Sequence, residues 1–178
     1  VGIGWPGPIF NGRCLYTPNL SDFQNFDLER ALKKKIPRPI KIDNDAKCAG
    51  VAENLFGYGR KYKNFVLLTF GTGLGGAVIV NGALMRGTKN AAGELGHLIL
   101  HPNGISCLCG QKGCFEKYVS SSTLEARVKN KLSKEITAKE ILTLAEPDQQ
   151  IDRVLEDYVE DLHLGLQSLE KAFNPDAF

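Results

Sequence analysis

The sequence has no apolar run approaching the ~20 residues that a membrane-spanning helix needs, so no span and no membrane partner are expected. It has no charge excess either. Its 22 Lys and Arg stand against 20 Asp and Glu, for a net charge of +2. That balance supplies no strong pull toward nucleic acid or a lipid surface, and no nucleic-acid partner is expected. Repeats and low-complexity segments are absent. No leader is visible, but a chain that begins at Val1 rather than an initiator Met carries little information about one. Cysteine is scarce, and its count of five is odd. With nothing pointing to secretion, a disulfide framework is disfavoured and a cytoplasmic protein is expected.

What remains is an ordinary globular composition, 43% hydrophobic and 24% charged. The 178 residues suffice for one full domain or parts of two. The basic cluster Lys33, Lys34, Lys35, Arg38 and Lys41 ends a short predicted helix, where it complements the helix dipole. Strands are expected at residues 1–4, 39–42 and 64–70, with Asn-Gly hairpin turns at Asn11-Gly12 and Asn81-Gly82. Helices are expected after Asp27, over "DNDAKCAGVAENLF", and over residues 148–173, where Ile151, Val154, Leu155, Tyr158, Leu162, Leu166, Leu169 and Phe173 keep three-four spacing. Capping-box spacings at Ser122/Glu125 and Thr137/Glu140 mark two further helix starts. The mixture reads as α/β. Gly57 to Asn64 is the best boundary between ordered elements. "VGIGWPGP" opens in a strand-like run and "NPDAF" closes where another strand would be natural, so a fragment of a longer protein is expected.

"FGTGLGG" over residues 70–76 satisfies G-x-G-x-x-G, yet the next stretch, "AVIVNGALMRG", reads as a strand, a turn and a strand. A dinucleotide fingerprint must open a helix, and a P-loop needs Gly-Lys-Ser/Thr, so both are rejected. A glycine loop between antiparallel strands is the phosphate device of actin-like, sugar-kinase ATPases; a plain Gly-rich turn is the alternative.

"GHLILHPNGISCLCGQKGC" gathers His97, Cys107, Cys109 and Cys114, a full set of tetrahedral zinc ligands. Gly110 and Gly113 let the chain fold back so that the sulfurs point inward. A disulfide and free core cysteines are the alternatives, and His101 competes with His97. Cys14 and Cys48 read as small apolar residues and His163 as structural.

"IDNDAK" puts Asn44 and Asp45 where a strand becomes a helix, facing a cleft. A carboxylate there can take a proton from a substrate hydroxyl, while the bland reading is a helix cap by Asp43 or Asn44. Glu94 stands three residues before His97, and Glu116 two beyond Cys114. Carboxylates and an imidazole in one cleft suit a polyol; singly, each is as well explained as a solvated group.

These pieces in this order resemble the ROK family of sugar kinases and sugar-responsive repressors. "NDAKCAGVAE", "FGTGLGGAVIVNGALMRG", "AAGELGHLIL" and "CLCGQKGCFEKYVS" carry the resemblance. It implies an α/β actin-like ATPase fold of the ribonuclease H type, two lobes with sugar and ATP in the cleft between. Residues 1–60 would be the remainder of the N-terminal lobe and 61–178 part of the C-terminal lobe. Asp45 would be the catalytic base, and Asn44, Glu94, His97 and Glu116 the sugar contacts, with Asn19 of "TPNL" a further match. Gly71, Thr72 and Gly73 would meet the ATP phosphates. His97 would bind structural Zn²⁺ through one nitrogen and sugar through the other, which removes His101 as favoured ligand. Mg²⁺ would accompany ATP, and a homo-oligomer, dimer or tetramer, is expected.

Two departures stand out: the family's N-terminal Asp-x-Gly-Gly-Thr hairpin and its Gly-Gly adenosine segment are not in this sequence. The fragment alone is therefore expected to bind ATP poorly. The resemblance implies a hexokinase, glucokinase first. N-acetylmannosamine or N-acetylglucosamine kinase and fructokinase stand close behind, a sugar-sensing repressor is the reading from another class, and an inactive truncated lobe is the weakest.

Overall fold

The computed structural model describes the whole chain except residues 16, 18, 19 and 144–148. Asn19, expected near the sugar, lies outside the described residues. The backbone forms two compact units. The first comprises Val1–Leu68, Gly76–Glu94 and Pro175–Phe178, and the second Thr69–Gly75 and Leu95–Asn174.

In the first unit, β1 (Gly2–Trp5) is followed by a hairpin of β2 (Ile9–Phe10) and β3 (Arg13–Cys14). Its turn, Asn11-Gly12, has φ of 50° and 74°, the doubly positive geometry that Asn-Gly supplies at least strain. β4 (Phe26–Asp27) pairs antiparallel with β3, and Asp27 then caps α1 (Leu28–Lys33) by accepting from Arg30 N at 3.1 Å. Ile9, Cys14 and Leu28 form a small apolar core with Trp5, Leu32 and Ile42 packed on it. β5 (Lys41–Asn44) runs parallel to β1, with Asn44 opposite Trp5, and α2 (Asp45–Phe56) begins at the very next residue. That abrupt strand-to-helix switch gathers polar groups at the strand's C-terminal end, with Asp45 exposed on the first helical residue.

β6 (Phe65–Phe70), β7 (Leu74–Val80) and β8 (Ala83–Leu84) form a sheet in that order. Asn81-Gly82 turns β7 into the antiparallel β8 with φ of 51° and 74°. The chain's last residues return to this unit: Ala177 bridges Phe65 in parallel, and Asp176 N donates to the Asn64 carbonyl at 2.8 Å.

The second unit is built on α3 (Glu116–Val119), α4 (Ser121–Leu132), α5 (Ala138–Leu142) and α6 (Gln149–Phe173). Along α6 the buried positions are Ile151, Val154, Tyr158, Gly165 and Leu169, one face at three-four spacing, and Phe115 packs against Gly165. The Tyr158 hydroxyl donates to the Val119 carbonyl at 2.6 Å, which gives this buried aromatic its polar partner. The expected capping box at Thr137/Glu140 is present. The one expected at Ser122/Glu125 is not. Ser120 is the cap, extended at φ −68° and ψ 157°, and it accepts from Thr123 N at 3.2 Å. Glu125 accepts instead from Ala138 N at 2.9 Å, joining α4 to α5. Among the described residues no helix is long and apolar enough to cross a membrane.

Candidate functional site

In the first unit the switch from β5 to α2 aims three consecutive polar residues. Asn44 is the N-cap, its Oδ1 accepting from Lys47 N at 3.0 Å. Its Nδ2 donates to Asp45 Oδ1 at 3.0 Å and to the Gly7 carbonyl at 3.4 Å. Asp45 is the first helical residue rather than the cap, and its Oδ1 also accepts from Ala46 N at 2.8 Å. Both bonds to Asp45 fall on Oδ1, so they orient the carboxylate without using Oδ2. Helix N-terminal charge further favours an anion there.

Asp43 is drawn into structure instead. Its carboxylate accepts from Arg86 Nη1 at 2.6 Å, from Asn90 Nδ2 at 2.9 Å and from Asn44 N at 2.9 Å. Burial alone would raise its pKa; the Asn90 amide, the Arg86 guanidinium and the Asn44 N–H outweigh that and hold it below the usual carboxylate range. Asn90, in the left-handed region at φ 56°, also donates to the Ile9 carbonyl at 2.9 Å and accepts from Arg86 at 2.8 Å. Lys47, fully buried, donates to the Asn90 carbonyl and pairs with Glu94 Oε1 at 3.5 Å. The structure thus brings Asn44, Asp45 and Glu94 into one network through Lys47 and Asn90. Sequence reasoning overlooked both; the available signal was a lysine inside the small-residue run "DAKCAG".

In the second unit the glycine loop between β6 and β7 is tied down on its carbonyl side. Ser121 N donates to the Gly71 carbonyl at 2.9 Å and Ser122 Oγ to that of Thr72 at 2.6 Å. Gly71 N bonds the Gly73 carbonyl at 3.0 Å. The N–H groups of Thr72 and Gly73 make no hydrogen bond among the described residues, which leaves two donors for an anion. Glu116, at the start of α3, accepts from Leu74 N at 3.1 Å. A Cβ on Gly73 would lie 2.3 Å from Glu116 Oε2, so the glycine is needed for this carboxylate to reach the loop. Glu116 and the loop of Gly71, Thr72 and Gly73 therefore form one structure.

The cysteine loop starts at the 3₁₀ turn Leu95–His97 and ends at Cys114, where Ile99 and Cys114 form an antiparallel bridge. His97, Cys107, Cys109 and Cys114 place their ligand atoms within 4.8 Å of one another. The His97 nitrogen turned toward Cys107 Sγ is Nδ1, at 3.8 Å, and Cys109 and Cys114 stand 3.5 Å apart, Sγ to Sγ. Ser106 and Lys112 bridge across the loop, and Cys107 N donates to the Gln111 carbonyl at 2.9 Å. Gly113, at φ +80°, lets the return strand pass the His101 backbone; a Cβ there would meet the His101 carbonyl oxygen at 1.7 Å. Three thiols so close cannot all ionise unaided. Burial, then the neighbouring thiols Cys109 and Cys107, push Cys114 up to about 12. On Cys109 burial is outweighed by the Gln111 N–H, by Cys107 and Cys114, and by the Gln111 side chain, which pull it down. A divalent cation among the four would remove that conflict, so the donor set fits tetrahedral zinc.

His101 is not in this cluster. Its Nε2 contacts Asp161 Oδ1 at 2.6 Å, Arg127 donates to Asp161 Oδ2 at 2.5 Å, and Tyr118 packs edge-on against the imidazole. Cys14 is buried in the first unit's core as expected, whereas Cys48 and His163 are exposed. Neither has a packing role of the kind expected, because each falls on the outward face of its helix.

The model of the ROK family matches residues 1–178. A glucokinase of Thermotoga maritima is 40% identical over 126 residues, covering 70% of this chain and 40% of that protein. A xylose repressor of Bacillus spizizenii is 33% identical over 179 residues, 99% of this chain and 46% of that protein. The crystal structure of a ROK family glucokinase from Streptomyces griseus, in complex with glucose and AMPPNP, superposes with a TM-score of 0.90 at 30% identity over 100% of this chain and 63% of that one. This chain thus spans less than half the length of the two relatives. Its fold is the α/β architecture of actin-like ATPases as found in ROK sugar kinases. The chain belongs to the ROK family.

Proposed function

We propose that the protein containing this chain is an ATP-dependent sugar kinase, with a hexose as acceptor and glucose, at its 6-hydroxyl, the first candidate. The observation that carries the reading is Asp45, whose carboxylate is oriented through Oδ1 at a helix N-terminus. A hydroxyl is too weak an acid to ionise at neutral pH, so its proton must leave as the phosphoryl group arrives. Asp45 Oδ2 is the acceptor for that proton. Asn44 holds Asp45 in register, and a sugar hydroxyl would meet its amide by replacing the longer bond, 3.4 Å, to the Gly7 carbonyl. Glu94, His97 and Glu116 accept from or donate to sugar hydroxyls, each carboxylate being able to serve two. The N–H groups of Thr72 and Gly73 receive the phosphates of Mg²⁺-bound ATP. The open groove lined by Ser122, Glu125, Lys129 and Thr137 starts where Ser122 holds the Thr72 carbonyl, and it offers the rest of the nucleotide a surface.

His97, Cys107, Cys109 and Cys114 would hold one zinc ion, which would neutralise the thiolates and brace the loop that leads into Glu116. With Nδ1 turned toward Cys107, the opposite edge of the His97 ring is the one that would address sugar.

N-acetylmannosamine, N-acetylglucosamine and fructose are alternative acceptors, since the same side chains suit them. A sugar-sensing repressor is the second reading, favoured by the similarity to a xylose repressor across nearly the whole chain. The test is an ADP-release assay on the full-length protein with glucose, fructose, xylose and the two N-acetylhexosamines. Turnover with glucose is expected. Sugar binding without turnover, together with sugar-dependent DNA binding, would establish the repressor instead.

A further inference from the structure

We propose that Lys47 is a positioning residue for sugar recognition, one that aims Glu94; this rests on the sugar-kinase reading. Lys47 is among the largest fully buried side chains of the described residues. Burying an ammonium group is costly unless it is paired and hydrogen-bonded, and Lys47 has a partner of each kind: the Glu94 carboxylate at 3.5 Å and the Asn90 carbonyl. An apolar side chain of equal length would fill the same space without that cost, and a buried ion pair is weak evidence of a stabilising role. The geometry points elsewhere. The cation engages Oε1 of Glu94, while the Glu94 side chain keeps 27% of its surface open. One oxygen is held from the protein side and the other is left for a ligand. A carboxylate engaged in this way is restrained in orientation, and accepting a hydroxyl hydrogen then costs less rotamer freedom.

Lys47 also connects the two parts of the first unit's site. Its backbone N–H closes the Asn44 cap that carries Asp45, and its ammonium reaches Asn90 and Glu94 more than forty residues on. The opening turn of α2 thus positions both the proposed base and, through Lys47, the proposed hydroxyl acceptor. Asn90 extends the same brace, since its side chain is held by Asp43, Arg86 and Ile9.

The test uses the full-length protein with Lys47→Met, Glu94→Gln and the double variant. It reads sugar Kd by calorimetry, KM and kcat for sugar and ATP, and melting temperature. Lys47→Met is expected to raise sugar Kd and KM on the order of tenfold, with kcat and the KM for ATP changed far less. The double variant is expected to bind sugar no worse than Glu94→Gln alone, because Lys47 acts through that carboxylate. Should Lys47→Met not fold, Lys47→Gln, which keeps an N–H for the Asn90 carbonyl, replaces it. Failure of both to fold would make Lys47 structural and overturn the proposal. A normal sugar KM in the Lys47 variant, or losses that simply add in the double variant, would also overturn it while leaving the kinase reading intact. A wild-type protein that neither binds nor phosphorylates any hexose would remove the kinase reading and this inference together.

Discussion

The two units hold their candidate groups by opposite means. In the first, Asn44, Asp45 and Lys47 sit on the opening turn of α2, where regular backbone geometry and an N-cap set their directions before any ligand arrives. In the second, His97, Cys107, Cys109 and Cys114 sit on a loop with little regular structure, shaped by isolated bridges and by glycines in the left-handed region. Secondary structure preorganises the one. The other brings three thiols together against their own electrostatics, and its geometry makes chemical sense with a cation in the middle. Function in the first unit should therefore be separable from stability, whereas in the second the two should fail together.

Asp45 offers the largest effect and the sharpest test of that separation. Asp45→Asn in the full-length protein keeps shape and one acceptor but removes the proposed base, and on that reading kcat should fall by roughly 10²–10⁴. Sugar affinity should change by about tenfold or less, and the melting temperature should barely move, because Asn44 and not Asp45 caps the helix. Full turnover with a lowered melting temperature would instead assign Asp45 to the helix end.

Metal removal probes the other side of the comparison. If the four ligands hold zinc, a chelator should lower the melting temperature on the order of 10 °C and weaken sugar binding as well, since Glu116 lies just past the last cysteine. Metal analysis should find about one zinc per chain. Less than half of that, with unchanged melting in chelator, would leave the loop standing on its backbone alone.

A pair of glycines separates strain from collision inside the same loop. Gly110 and Gly113 both have positive φ, of +90° and +80°, but a Cβ on Gly110 meets nothing within 4 Å while one on Gly113 strikes the His101 carbonyl. Gly110→Ala should cost about 1–2 kcal/mol, the strain of a left-handed alanine. Gly113→Ala should cost about 2–4 kcal/mol, since backbone must also shift. Equal losses in urea titrations would mean that the return strand can move aside.

Legibility in the sequence followed the same division. The Asn-Gly hairpins, the cap at Asp27, the switch at Asn44-Asp45 and the apolar face of α6 are local patterns, and the structure has each of them. The cysteine spacing announced a cluster, and the four ligand atoms do converge. Contacts between segments far apart in the chain could not be read. Nothing around residue 47 says that its ammonium meets Glu94, or that Asp43 is shared by Asn90 and Arg86. The bond from Leu74 N to Glu116 was equally hidden, as was the reason Gly73 must lack a side chain. The cap of α4 was misplaced by two residues because three serines in a row all suit the role and only Ser120 has the extended backbone for it.

The smallest effect tests whether the first unit's polar network is itself stabilising. Asp43 titrates below the usual carboxylate range because Asn90, Arg86 and the Asn44 N–H outweigh its burial. A carboxyl group whose pKa is depressed by folding binds its proton less readily folded than unfolded. It therefore adds stability above the unfolded value of ~3.9, and that contribution is lost as pH falls through the lower folded value. Arg86 is half exposed, so solvent screens its share and the amide bonds carry more of the effect. Asp43→Asn should cost about 1 kcal/mol near neutral pH and should flatten the acid limb of melting temperature against pH below about pH 4. The gap between wild type and variant should close as pH falls, since the protonated carboxyl of Asp43 and the substituted amide are then nearly alike. A constant gap down to about pH 3 would mean that Asp43 contributes through shape alone, and that the first unit's site is held by the α2 cap rather than by the charges around it.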